Sequence, residues 1–131
     1  MRLILYLTVF DAKARDWINQ EVRVGFDRED NQLNEGFKPE WHHIFPRKVV
    51  GPGFDEGLVD SIANIAVLNE KANRAFSGQP PQRYLQEHRV RPERLAEQAI
   101  PPVDTGFETF LDRRSELLAE RASAFLEGLS S

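Results

Sequence analysis

The chain contains no cysteine, which excludes disulfides, thiolate nucleophiles and Cys-based zinc knuckles and leaves His, Asn and carboxylates as the residues able to hold a metal. Such a composition suits a reducing, cytoplasmic compartment. Long apolar runs are also missing. The opening run from Arg2 to Phe10 falls well short of the ~20 residues that span a bilayer, so no membrane association is expected. Arg2, the short apolar run and Ala12-Lys13-Ala14 mimic the three regions of a secretory leader, but Asp11 interrupts the run and a core helix accounts for it better. Nor is positive charge in excess. Lys and Arg number 17 against 21 Asp and Glu, a net charge of −4, which argues against a protein that coats nucleic acid by bulk electrostatics.

What is present is the balance of a folded domain: 131 residues, 40% hydrophobic and 29% charged, with eight glycines and eight prolines. That length accommodates one domain with one core. The charge is unevenly spread. Residues 71–94 carry six basic residues (Lys71, Arg74, Arg83, Arg89, Arg91 and Arg94) against two acidic ones. Two readings stand for this block, a local positive surface or a set of solvated helix faces.

The pattern along the chain reads as an α+β fold, mainly helical. Residues 2–17 read as a buried first helix ending near Trp17, with a strand as the alternative. Residues 22–26 read as a short strand, 27–36 as a polar loop, and 41–45 as a strand ended by Pro46. After the glycine-rich loop at 51–57, residues 62–68 supply the next apolar stretch. Asn69 then stands as N-cap to a helix over 70–76 that Gly78 and Pro80-Pro81 stop. Pro81 and Pro92 suit the first turns of two further helices, to about His88 and Ala99. Thr105-Gly106-Phe107-Glu108 matches a capping box. Behind it Phe107, Phe110, Leu111, Leu118, Ala122, Phe125 and Leu129 form the apolar stripe of a long C-terminal helix.

The chemistry centres on Glu40-Trp41-His42-His43-Ile44-Phe45-Pro46. Two of the chain's three histidines are adjacent here. Successive strand side chains point in different directions, so His42 and His43 are badly placed to chelate one ion together and well placed to divide labour. One imidazole can hold a metal while the other, metal-free, accepts a proton. The plain alternative is one core histidine and one surface histidine. Asn64, flanked by Ile and Ala, is costly to bury unless its amide is hydrogen-bonded, which suits a residue that pins a loop.

His-His-Ile-Phe-Pro, then Asp60-Ser-Ile-Ala-Asn-Ile65, then Asn69-Glu-Lys-Ala-Asn-Arg74 and Pro-Pro-x-x-Tyr84-Leu85, resemble the HNH (ββα-metal) nuclease family. The closest likeness is to the C-terminal nuclease domain of GmrSD-type, modification-dependent restriction enzymes. The likeness covers about residues 40–85, and Phe110-Leu111-x-x-Arg114 is similar to the last helix of those domains. It implies a ββα-metal core over about residues 40–77, supported by the N- and C-terminal helices. By the resemblance, His42 and Asn73 are metal ligands, His43 is the general base, and Asn64 bridges the loop between the strands and orients the His43 ring. Arg74, next to the ligand Asn73, is the candidate clamp for a DNA phosphate, with Lys71 and Arg47 as weaker candidates.

The activity so implied is hydrolysis of DNA phosphodiester bonds by a one-metal mechanism, in a restriction or phage-defence setting. The implied cofactor is a divalent ion, Mg²⁺ or Mn²⁺ for turnover, although imidazole also suits Ni²⁺ and Zn²⁺. Sequence specificity would belong to a fused or separate nucleotide-hydrolysing domain. Asn69 has a second role open to it as a ligand, and Asp60 one through a water, against the simpler cap and loop-closing bond. The acidic balance favours a competing reading, a non-catalytic interaction module on the same fold. A zinc hydrolase built from His42, His43 and His88 lacks the histidine spacing a helix supplies in such enzymes.

Overall fold

The computed structural model describes residues 3–24 and 39–130. Two of its segments are strands, β1 (Pro39–His43) and β2 (Ile65–Asn69), paired antiparallel with Trp41 opposite Val67 and His42 opposite Ala66. The uninterrupted apolar run of β2 follows from burial on both faces. Ala66 and Leu68 enter one core with Trp17, Ile44, Phe45, Phe76, Tyr84 and Phe110, whereas Ile65 and Val67 enter a second with Leu5, Val9, Ala14 and Leu118. The hairpin therefore forms the partition between two apolar layers. Among the described residues seven helices surround it, which makes the domain α+β with a long C-terminal helix.

The first helix, α1 (Leu3–Asp11), is shorter than the expected 2–17. Lys13 takes a left-handed φ of 51° and Ala14 N–H donates to Val9 O at 3.0 Å, a Schellman-type stop made without glycine. Val9 and Ala14 pack in the same layer, the hydrophobic contact that accompanies this motif. The chain then runs extended. Arg15 bridges Arg23 and Asp16 N–H donates to Val22 O, so the strand expected at 22–26 is an isolated bridge here, with 25 and 26 outside the described residues. The expected polar loop at 27–36 also lies outside them.

Between the strands come two single-turn helices, α2 (Arg47–Val50) and α3 (Glu56–Val59), and a 3-10 turn at Ile62–Asn64. The first strand ends two residues earlier than expected because Ile44 and Phe45 leave the ladder. Ile44 N–H bonds Asn64 O at 2.8 Å, and the Asn64 side chain holds both backbone groups of Phe45. Directly after β2, α4 (Glu70–Phe76) begins with Asn69 at the N-cap position, where its side chain makes no capping bond. Its N–H goes instead to the buried carboxylate of Asp16 at 2.8 Å.

Helices α5 (Pro81–Glu87) and α6 (Pro92–Glu97) both open on proline, as expected. The last helix, α7 (Phe107–Ser130), starts one residue later than the capping box requires. Gly106, at φ 95°, stands before its first residue and Thr105 Oγ1 donates to Pro102 O at 3.4 Å, so the Thr105–Glu108 reciprocal pair does not form. The stripe of α7 is buried at Phe107, Phe110, Leu111 and Leu118, with Ala122 and Phe125 half-buried. Within it lies Arg114, 1% exposed, donating to the carbonyls of Ala63, Ile65 and Gln98 at 3.1, 2.8 and 3.1 Å. Burial pulls its guanidinium down to about 9. The helix is thereby tied to the turn leading into β2 through backbone oxygens, with no carboxylate involved.

Candidate functional site

The two adjacent histidines of β1 leave the strand in different directions, as strand geometry requires. His42 is buried, 3% exposed, and His43 is 41% exposed at its side chain. Three aromatic rings meet His42 edge-on, with centroids at 6.1 Å (Trp17), 5.7 Å (Phe76) and 5.4 Å (Tyr84). Phe76 lies stacked on Tyr84 at 4.4 Å. That apolar cage makes a charged imidazole costly. Burial pushes the His42 pKa down to about 4, the Asn73 contact opposing the shift and the neighbouring His43 adding to it. At neutral pH His42 therefore carries one ring proton.

Where that proton sits follows from its neighbours. Tyr84 Oη donates to the Ile44 carbonyl at 2.8 Å, and a backbone carbonyl can only accept. The phenol has no second proton, so the 3.0 Å contact between Tyr84 Oη and His42 Nε2 needs Nε2–H as donor. His42 Nδ1 is then a bare lone pair. It lies 2.9 Å from Asn73 Oδ1, also an acceptor, while Asn73 Nδ2 donates to Glu40 Oε1 at 3.0 Å. The run Ile44–Tyr84–His42–Asn73–Glu40 is thus one positive charge short of completion, and the shortage falls between His42 Nδ1 and Asn73 Oδ1.

A divalent cation fits that place. A metal-ligating imidazole must be unprotonated at the ligating nitrogen, as Nδ1 is. Two neighbouring ligands of an octahedral ion, each at about 2.1 Å, stand about 3.0 Å apart, close to the observed 2.9 Å. Among the described residues no three His, Asp or Glu side chains gather as a metal-binding group, so a cation here would have these two side chains as its protein donors.

The remaining residues are arranged around a cleft of about 350 Å³ lined by His42, His43, Arg47, Asp60, Asn73 and Ser77, among others. Asp60 Oδ1 lies 2.9 Å from His43 Nε2. Asn64, fully buried, spends its whole amide on the backbone: Oδ1 accepts from Phe45 N–H at 2.9 Å, and Nδ2 donates to Phe45 O at 2.9 Å and Val59 O at 2.8 Å. It bridges the loop between the strands, while the side chain that touches the His43 ring is Asp60. His88 is exposed at the end of α5, edge-on to Phe76 at 5.0 Å.

The basic block is not one surface. Arg94 is buried and bonded to Glu97 and Gln20 O, Arg91 reaches Glu21, Arg83 pairs with Glu87 and Arg74 with Glu70. Each pairing lowers the positive charge left for a ligand. Arg47 lies at the cleft with its guanidinium on Phe54 O, and Lys48 and Lys71, both exposed, make no ion pair among the described residues. Reasoning from the sequence gives no role to Glu40, to the hydroxyl of Tyr84 or to Lys48, although Glu40 heads the histidine stretch and Tyr84 is the aromatic of Pro-Pro-x-x-Tyr.

A separate apolar cleft of about 170 Å³ lies between α1 and the C-terminal half of α7, lined by Ile4, Leu7, Phe125 and Leu126 and rimmed by Asp11 and Arg121. No histidine is among its lining residues. No helix among the described residues is long and apolar enough to cross a membrane. No family model, no curated protein and no solved structure matches this chain.

Proposed function

We propose that the chain is a metal-dependent endonuclease of the HNH kind, hydrolysing DNA phosphodiester bonds at the cleft between β1 and α4, with strand, loop, strand and α4 as its ββα-metal core. The observation that carries this reading is the 2.9 Å contact between His42 Nδ1 and Asn73 Oδ1, two acceptors facing each other on the tautomer that Tyr84 imposes. The pair stands at the edge of the polar cleft, His42 buried and Asn73 half-buried, where a cation arriving from the cleft could meet both acceptors. Beside that pair stands an imidazole that reaches solvent.

His42 and Asn73 would hold the ion, and Mg²⁺ or Mn²⁺ bound there supplies Lewis-acid stabilisation of the charge that develops on the leaving 3′ oxygen. His43 is the base. The Asp60 carboxylate holds its Nε2–H, which leaves Nδ1 free to take a proton from water as the water oxygen bonds phosphorus. The P–O3′ bond breaks, giving a 5′-phosphate and, after protonation from solvent, a 3′-hydroxyl. Asn64 keeps Phe45 and Val59 in place, and with them the loop that brings Asp60 to His43. Arg47, Lys48 and Lys71 make the phosphate contacts, with Arg74 released to join them when its partner Glu70 yields.

A plasmid-nicking assay with Mg²⁺, Mn²⁺ or EDTA tests the reading. Wild type should nick with metal and not with EDTA, and His43→Ala should lose about 10²–10⁴-fold in rate with unchanged Mn²⁺ affinity. Equal nicking by the two proteins removes the proposed base. Metal-independent nicking removes the mechanism.

A further inference from the structure

We infer that Glu40 is the positioning residue that keeps the cation site open, by fixing which end of the Asn73 amide faces His42. The inference rests on the proposed reading of the site and adds to it a residue the motif does not contain. Glu40 and His42 are two apart on β1 and so share a face of the strand. Asn73 on α4 spans both, with Oδ1 toward His42 Nδ1 and Nδ2 donating to Glu40 Oε1 at 3.0 Å.

A primary amide has two orientations of nearly equal shape, differing only in which atom goes where. Turned round, Asn73 would donate Nδ2–H to the bare Nδ1 of His42, complete that side of the hydrogen-bonded run, and occupy with its own proton the place a cation needs. Taken alone, the His42 contact prefers that orientation. What opposes it is Glu40, because the turned amide would aim Oδ1 at a carboxylate. The carboxylate therefore selects the orientation that is worse for the free protein and better for a bound cation.

Removing the carboxylate should separate these two properties, which a purely structural residue would not do. Glu40→Gln keeps the shape of the side chain, and its own amide can pair with Asn73 in the turned orientation. In isothermal titration with Mn²⁺ this variant should bind about 10–100-fold more weakly than wild type. In EDTA its melting temperature should equal or exceed that of wild type, and a nitrogen–nitrogen coupling across an Asn73 Nδ2–H to His42 Nδ1 hydrogen bond should appear by NMR, absent from wild type. Glu40→Met, which offers no hydrogen bond at all, should weaken Mn²⁺ in the same way.

Mn²⁺ affinity retained in Glu40→Gln to within about twofold would overturn the inference, as would an affinity loss without the new coupling, which would make Glu40 a charge and not a positioner. The parent reading fails on a different result. Pulsed EPR of Mn²⁺-loaded wild type should show one coupled histidine nitrogen that His42→Gln removes. Its absence from wild type would sink the cation site itself, whatever Glu40 does.

Discussion

Tyr84→Phe removes one oxygen atom from the molecule and changes which nitrogen of the His42 ring carries the proton. In wild type the phenol is committed to the Ile44 carbonyl at 2.8 Å, which obliges His42 to present Nε2–H at 3.0 Å and leaves Nδ1 bare. With Phe at 84 that obligation disappears. The imidazole proton is free to move to Nδ1, where Asn73 Oδ1 accepts it at the existing 2.9 Å. The variant loses two buried hydrogen bonds, leaves the Ile44 carbonyl and His42 Nε2 without those partners, and gains one bond. Each unpaired buried group costs about 1–3 kcal/mol and the new bond returns about 1 kcal/mol. The metal-free protein should thus be destabilised by about 1–5 kcal/mol. At about 3–4 °C per kcal/mol for a domain of this size, that is a melting temperature lower by about 3–20 °C in EDTA.

The cation site should suffer as well, since a protonated Nδ1 cannot ligate. A fall of about 10–100-fold in Mn²⁺ affinity is expected from disturbing a residue that sets a ligand's tautomer. Calorimetric titration with Mn²⁺ and ¹⁵N spectra of the His42 ring are the assays. Wild type should show the proton on Nε2 and the variant on Nδ1. A variant that keeps wild-type Mn²⁺ affinity, or a wild-type ring already protonated at Nδ1, refutes the reasoning.

Further expectations concern the same few residues. His42 has its folded pKa lowered to about 4 from 6.5, so between those values the unfolded chain binds the extra proton. Metal-free stability should therefore be complete above about pH 6.5 and fall by up to about 3 kcal/mol as the pH drops to about 4. Urea melts across that window, compared with His42→Gln in which this step is missing, measure it; parallel profiles would contradict it. Asn64→Ala strands the N–H and C=O of Phe45 and the C=O of Val59, all held by its side chain. It should cost about 3 kcal/mol or more in a urea melt, and a loss below about 1 kcal/mol would mean the loop has another anchor. Asp60→Asn should slow nicking at least about tenfold with Mn²⁺ affinity intact, because only the hold on His43 Nε2 is altered. An unchanged rate would leave Asp60 as a loop residue.

The hairpin-then-helix order was legible because its signals are local. Ile65–Leu68 is apolar on both faces, Glu70 opens the next helix with a favourable charge, and paired prolines mark the turns after it. The ends of α1 and α7 were not legible for equally physical reasons. A Schellman stop at Lys13 lacks the glycine that usually announces it, and a Thr-x-x-Glu pattern gives no warning that Gly106 will take the cap position. Of the site, the opposite directions of His42 and His43 follow from strand periodicity. The proton shortage at His42 does not, because it depends on Tyr84 and Glu40 arriving from α5 and from two residues up the strand. Charge counting along residues 71–94 misled most. It registers Arg91 and Arg94 as cations and cannot see that Glu21 and Glu97 cancel them.

That cancellation has a consequence for how such a nuclease would meet its substrate. Arg47, Lys48 and Lys71, with Arg74 joining them, leave about three to four phosphate contacts, which corresponds to a slope of about −3 to −4 in log affinity against log salt and to the release of only a few counterions. A module with so shallow a salt dependence dwells briefly on duplex DNA by itself. Its cutting would follow whatever raises its local concentration at a site, so tethering would govern where it acts.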